Sequence, residues 1–130
     1  MTSEQVVLRF VEAINQADAD GLADLMTDRH VFIDSDGSKM TGRESMRKAW
    51  SQYFSMMPGY RVNVEDIFCQ GNKVVLVGLA TGACATTGRL WSVPAAWRAV
   101  VERDRVAVWQ VFVNPEPILA AMRDQAGGES

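Results

Sequence analysis

Val6, Val7, Phe10, Val11 and Ile14 recur at the spacing of one helical face, and Thr2-Ser3-Glu4-Gln5 ahead of them is a T-x-x-Q capping box. This predicts a first helix ending near Gln16. A short second helix follows, with Asp18 as its cap and Leu22, Leu25 and Met26 on its apolar side, until Thr27-Asp28-Arg29 breaks the period. His30-Val31-Phe32-Ile33-Asp34 reads as a strand and Ser35-Asp36-Gly37-Ser38 as a turn. Thr41-Gly42-Arg43-Glu44 is a second capping box. It opens a helix whose stripe of Met46, Ala49, Trp50, Tyr53, Phe54 and Met57 keeps the i, i+3, i+4, i+7 rule up to Pro58-Gly59.

From Tyr60 to Val113 the chain is rich in Val, Trp and Phe, with turn signals at Gly71-Asn72, Thr86-Thr87-Gly88 and Arg103-Asp104. Four consecutive antiparallel strands are expected. Asn114 can then cap a closing helix that carries Pro115 in its first turn and Ile118, Leu119 and Met122 on its apolar side, with Gly127 to Ser130 as a frayed tail. Helices first and a meander afterwards predict one α+β domain over residues 1–130, its helices segregated to one side of a curved antiparallel sheet.

A two-residue turn at Arg103-Asp104 pairs Glu102 with Arg105, and a regular ladder then sets Arg98 opposite Trp109 and Ala96 opposite Val111. The other face carries Trp97 with Gln110 and Ala95 with Phe112. Both faces come out largely apolar, although a sheet covered on one side should alternate with polar residues. The second face therefore needs a cover, and a second copy of the same sheet supplies it: a homodimer through Trp97, Gln110 and Phe112 is expected. A bulge at Pro94 would instead mix the two faces.

Composition narrows the function classes. The chain has 130 residues, 48% hydrophobic and 22% charged, which argues for a packed core and against disorder. A net charge of -3 offers no basic field for a phosphate backbone, so no nucleic-acid partner is expected. Cys69 and Cys84 are 15 residues apart without a CxxC, and one His30 completes no usual metal shell; no metal and no cofactor are expected, and the thiols fit a reducing cytoplasm. The longest apolar run, Val74 to Val77, is too short to cross a bilayer, so no membrane partner is expected.

Several residues are candidates for chemistry. Asp34 shares a strand face with His30 and Phe32; beside Phe32 and Phe10 in a cavity it would lose solvation, titrate above the ~3.9 of a free Asp, and serve as a general base. Asp34-Ser35-Asp36-Gly37 is equally good turn chemistry. His30, the only histidine, can shuttle protons or be a capped strand-start side chain. The Asp-x-Asp-Gly stretch does not continue as a calcium loop, since Lys39 and Ser45 stand where Gly and Glu are needed. Arg98, the one charge in the middle of an apolar strand, can hold a carboxylate or enolate against Trp109, or pair structurally with Glu65 or Asp66. Cys84 has no evident activating base. The aromatic residues supply wall and interface area.

The order of elements, the "HVFID" strand, the "TGRES" helix start and the "WQVFVNPEPI" ending resemble the nuclear transport factor 2-like superfamily, nearest to SnoaL-like domains. Asn114 stands where such domains usually end W-x-x-Y-x-D. The resemblance covers nearly the whole chain and implies a cone-shaped half-open barrel with an apolar pocket between sheet and helices, commonly dimerised sheet to sheet. Relative to the superfamily's ketosteroid isomerases, Asp34 matches the base, but Phe10 replaces the oxyanion-hole Tyr and Ala96 falls near the place of the second Asp. Relative to its epoxide hydrolases, Val77, Gly78, Ala80 and Val111 stand in place of the charged set. The reading is thus a domain that binds a small hydrophobic molecule, with Phe10, Phe32, Trp50, Tyr53, Phe54, Arg98, Trp109 and Val111 lining the pocket. Asp34 and His30 would carry any isomerase- or cyclase-like proton transfer. The alternative is a non-catalytic binding or dimerisation module.

Overall fold

The computed structural model of the chain describes residues 1–127, with side-chain environments through Arg123. Its elements run α1 (Ser3–Asn15), α2 (Ala19–Asp24), β1 (Met26–Ile33), β2 (Lys39–Thr41), α3 (Arg43–Met56), β3 (Arg61–Gln70), β4 (Lys73–Ala83), β5 (Leu90–Glu102), β6 (Arg105–Val113) and α4 (Glu116–Gly127). Gly127, expected in a frayed tail, belongs to α4; residues 128–130 lie outside the described residues.

The local start signals explain most helix ends. Thr2 and Gln5 form the reciprocal capping box of α1, and the Asp18 carboxylate accepts from Gly21 N–H at the head of α2. Asn114 Oδ1 accepts from Glu116 N–H at the start of α4. The second box does not form. Thr41 is the last residue of β2, paired with Val31, so Gly42 becomes the N-cap of α3 without a side-chain bond, and Glu44 pairs with Arg47 instead.

Six strands form one curved, unclosed sheet in the order β2-β1-β6-β5-β4-β3. The fold is the expected α+β cone, a half-open barrel with the N-terminal helices on its inner side. One pairing departs from a purely antiparallel sheet: β1 runs parallel to β6. That ladder is interrupted between Met26 and Val31, and there the His30 imidazole donates from Nδ1 to the Val106 carbonyl at 2.7 Å, standing in for a missing backbone bond. At the β3 edge the Asn15 side chain bonds both the N–H and the C=O of Val62, pinning the end of α1 to the sheet.

The β5–β6 hairpin turns at Arg103 and Asp104, both at positive φ as a two-residue turn requires, and Glu102 pairs with Arg105. Beyond that the simple register fails. Val101 pairs with Val106 but Val100 pairs with Val108, so Ala107 is an extra residue and every later pairing shifts by one. Pro94 is not the bulge; it pairs regularly with Leu79. Trp97 consequently lies opposite Val111, is fully buried, and shares the inner face with Trp109, whereas Ala96, Arg98, Gln110 and Phe112 are outward. The outer face expected from Trp97, Gln110 and Phe112 thus loses Trp97. It keeps Gln110 and Phe112 beside Val75, Val77 and Ala96, all partly accessible. No described helix is long and apolar enough to cross a membrane.

Candidate functional site

A cavity of about 310 Å³ opens between the inner face of the sheet and helices α3 and α4. Trp50, Tyr53, Met46 and Ala49 enter it because the α3 stripe faces the sheet; Phe32 arrives from β1 and Tyr60 from the segment after Pro58-Gly59. Ala80 and Ala95 form part of its wall, where small side chains on β4 and β5 leave space. Val111, Val113, Pro115, Ile118 and Leu119 complete the apolar wall, and Asp34, Ser35 and Met40 stand in it from the β1–β2 end.

Of the expected lining set, Phe32, Trp50, Tyr53 and Val111 are in the cavity. Phe10 and Trp109 are fully buried against each other, ring centroids 4.8 Å apart, in the packed region under α1. Phe54 rests on Trp50 at 5.5 Å without lining the space. Arg98 is on the opposite side of the sheet, bonded to Gln110 Oε1 at 3.4 Å. It holds nothing in the cavity, does not stack on Trp109, and has no ion pair with Glu65 or Asp66. The positions read by resemblance shift too: Ala96 points outward, and the inward neighbour is Ala95.

His30 is buried against Phe10, ring centroids 6.0 Å apart. Because a carbonyl can only accept, Nδ1 carries the proton toward Val106, and Nε2 is enclosed without a hydrogen-bond partner. Burial, partly opposed by that bond, lowers the imidazole pKa below its ordinary value. His30 is therefore a neutral core residue and not a proton shuttle at the cavity.

Asp34 does line the cavity, but it is exposed, and Oδ1 accepts from Ser35 N–H at 2.7 Å. The Asp34 backbone also closes the turn, with Gly37 N–H donating to its carbonyl. The expected desolvated carboxylate beside Phe10 is absent, since Phe10 lies in the packed core. Asp34 combines both readings: a turn residue by its bonds, and the one acidic side chain among the described lining residues by its place. Tyr53 and Tyr60, in edge contact at 5.1 Å, are both held as neutral phenols. Burial chiefly, with Asp34 adding to it, pushes Tyr53 up to about 12; burial and then the Tyr53 phenol push Tyr60 higher still.

The cavity residues that sequence reasoning missed are chiefly Tyr60, Ala80, Ala95 and the α4 pair Ile118 and Leu119. The apolar spacing of α4 was visible, but not which side of the sheet it would cover. Outside the cavity, Cys84 sits with Sγ 3.2 Å from the Thr86 hydroxyl, and hydrogen bonding there, from Thr86 first, draws its thiol down to about 7.

The model of the SnoaL-like domain matches residues 7–109. The chain belongs to the SnoaL-like domain family. Among curated proteins none matches it significantly. Solved structures share the fold of this SnoaL-like chain at low identity. One is a protein of ketosteroid isomerase-like fold from Catenulispora acidiphila DSM 44928, in complex with trimethylamine, with TM-score 0.83, 19% identity, and 93% of each chain covered. Another, assigned to the SnoaL-like polyketide cyclases, comes from Jannaschia sp. CCS1, with TM-score 0.82, 22% identity, and 92% and 90% of the two chains covered. A nuclear transport factor 2-like protein from Burkholderia xenovorans LB400 aligns with TM-score 0.77 and 20% identity over 92% and 94%.

Proposed function

We propose that this SnoaL-like domain binds a small, largely apolar molecule in the cavity between the sheet, α3 and α4. The observation that supports the reading is the cavity itself: about 310 Å³, walled by aliphatic and aromatic side chains, with one carboxylate at its edge. Titration of the full chain with the fluorescent probe N-phenyl-1-naphthylamine tests it. The wild type should bind the probe, and Ala95→Leu, which fills the space from β5, should weaken binding at least about tenfold with little loss of melting temperature. Equal binding by both proteins would move the site elsewhere.

Within that function, Asp34 is the group able to exchange a proton with a bound carbonyl compound. Oδ1 is engaged by Ser35, and Oδ2 has no hydrogen-bond partner among the described residues. With β-tetralone as probe in D2O, proton exchange beside the carbonyl should be faster with the wild type than with Asp34→Asn. Equal rates would leave a binding module, the alternative reading, which the exposed turn position of Asp34 favours.

We also propose that the outer sheet face pairs with a second copy of the chain. Arg98 and Asp66 project from this face without an ion pair among the described residues, on β5 and β3, with half-exposed Val75 and Val77 on the strand between them. A two-fold arrangement can set each Arg98 against the other copy's Asp66 while covering the valines. Sedimentation should report a dimer that Phe112→Asp dissociates; Arg98→Asp should weaken it, and adding Asp66→Arg should restore it. A wild-type monomer at micromolar concentration overturns the proposal.

A further inference from the structure

We propose that the molecule this cavity takes carries a carbonyl oxygen on an apolar body, and that the hydroxyls of Tyr53 and Tyr60 hold that oxygen. The inference rests on the cavity being a small-molecule site; it names the polar group of the ligand and the two residues that select it.

The chain brings the two phenols together locally. Tyr53 lies in the last turn of α3, where its carbonyl accepts from Met57 N–H at 2.8 Å. Pro58-Gly59 then reverses the chain, with Gly59 at φ 73°, and Tyr60 N–H donates back to the Met57 carbonyl at 3.2 Å. The rings meet edge to face with centroids 5.1 Å apart, and both residues line the cavity. They stand on elements other than those the isomerase resemblance pointed to, where Phe10 and Ala96 offer no donor.

Neither phenol oxygen has a hydrogen-bond partner among the described residues, and neither is sealed off: Trp50 Nε1 in the same wall is enclosed, whereas both hydroxyls remain accessible. Tyr60 is only 9% exposed, so what it leaves open is the cavity side. The Trp97 indole N–H approaches the Tyr60 oxygen without completing a hydrogen bond. An indole N–H can only donate, so the Tyr60 proton is left for a ligand. Burial chiefly, and charge after it, keeps both phenols protonated; Tyr53 acts on Tyr60 and Asp34 on both, which gathers the three oxygens at one end of the cavity.

The rest of the wall offers little competition. Ser35 Oγ is turned to Asp34 Oδ1 at 3.5 Å, the Trp50 N–H is out of reach, and among the described lining residues none is Lys, Arg or His. A hydrocarbon filling this space would strip water from two hydroxyls and return nothing, which costs more than the bonds themselves are worth. An amine would bring donors to donors, and a carboxylate would bring a second negative charge beside Asp34 with no cation to offset it. A carbonyl oxygen has two lone pairs, no proton and no charge, and so answers both hydroxyls at once.

Displacement of N-phenyl-1-naphthylamine from the full chain by β-tetralone and by tetralin, its parent hydrocarbon, separates the oxygen from the apolar body. Tyr53→Phe and Tyr60→Phe each remove one hydroxyl and keep the ring. Each should weaken β-tetralone about three- to tenfold and leave tetralin unchanged or slightly tighter. The infrared carbonyl stretch of bound β-tetralone should lie at lower wavenumber than in hexane and move back toward the hexane value in each variant, a change that altered packing alone does not produce. If both variants bind β-tetralone like the wild type with the stretch unmoved, or lose tetralin equally, the phenols are not its donors and the apolar site stands. An effect from only one variant overturns the pair. If N-phenyl-1-naphthylamine binds and β-tetralone does not displace it, the carbonyl inference falls alone. If neither binds, the small-molecule reading falls with it.

Discussion

The inner face of the sheet is packed solid under α1 and hollow under α3 and α4. Helix α1 brings Val6, Val7, Phe10 and Ile14 to the sheet, all fully buried, and Phe10 meets an equally buried Trp109. Helix α3 buries only Met46 and Trp50, neither of them completely, while Tyr53 and Phe54 stay half-exposed, and the strands there supply Ala80 and Ala95. Both helices are amphipathic, so amphipathicity does not distinguish a core from a pocket. The difference lies in the pairing of large with large at one end, and of large aromatic with alanine at the other.

The contrast breaks most visibly at Phe10. Phe10→Ala should cost about 3–5 kcal/mol of stability, because the surrounding packing cannot collapse fully into the space left, and denaturant unfolding would measure it. A loss under 1 kcal/mol would mean that the α1 end is as loosely packed as the other.

His30 marks the packed end by pH. Its folded-state pKa lies below the unfolded 6.5, so between those values the unfolded chain binds more protons, and stability rises with pH there. The contribution of neutral His30 is therefore complete above about 6.5 and is lost as pH falls below it. Melting curves from pH 8 to 5 should fall more steeply for the wild type than for His30→Asn. Parallel curves would show that water reaches Nε2 and that burial does not hold the ring neutral.

The smallest effect belongs to the hollow end. Leu119 is 43% exposed, so Leu119→Ala should change stability by no more than about 0.5 kcal/mol, while weakening N-phenyl-1-naphthylamine measurably. A stability loss comparable to that of Phe10→Ala would erase the distinction between the two ends.

Local signals in the chain were legible wherever one segment decides the outcome. The Thr2 box, the Asp18 cap, the Pro58-Gly59 stop and the Arg103-Asp104 turn each act within a few residues, and each forms as read. Thr41-Gly42-Arg43-Glu44 carries the same letters as a capping box and fails, because Thr41 is claimed by a ladder with Val31, ten residues away. In the candidate site, Trp50 and Tyr53 were legible from the α3 stripe and Phe32 from the alternation of β1. Arg98 was not, because its side of the sheet depends on a bulge elsewhere.

The amino-acid sequence by itself determined most of the elements, their order and the SnoaL-like fold, since period, caps and turn residues act over a few residues; the short strand β2, and the Thr41 cap that it displaced, were not legible. Only the tertiary structure decided which apolar residues became core and which became cavity. Phe10 and Phe32 are the same side chain on equally regular elements, and their fates differ through what lies opposite: Trp109 for one, and for the other a space bordered by Ala80 and Ala95. The one extra residue at Ala107 likewise decided that Trp97 faces inward and Arg98 outward. In a sheet the side-chain period is two, so a one-residue shift moves every later residue to the other face, and no local pattern records it.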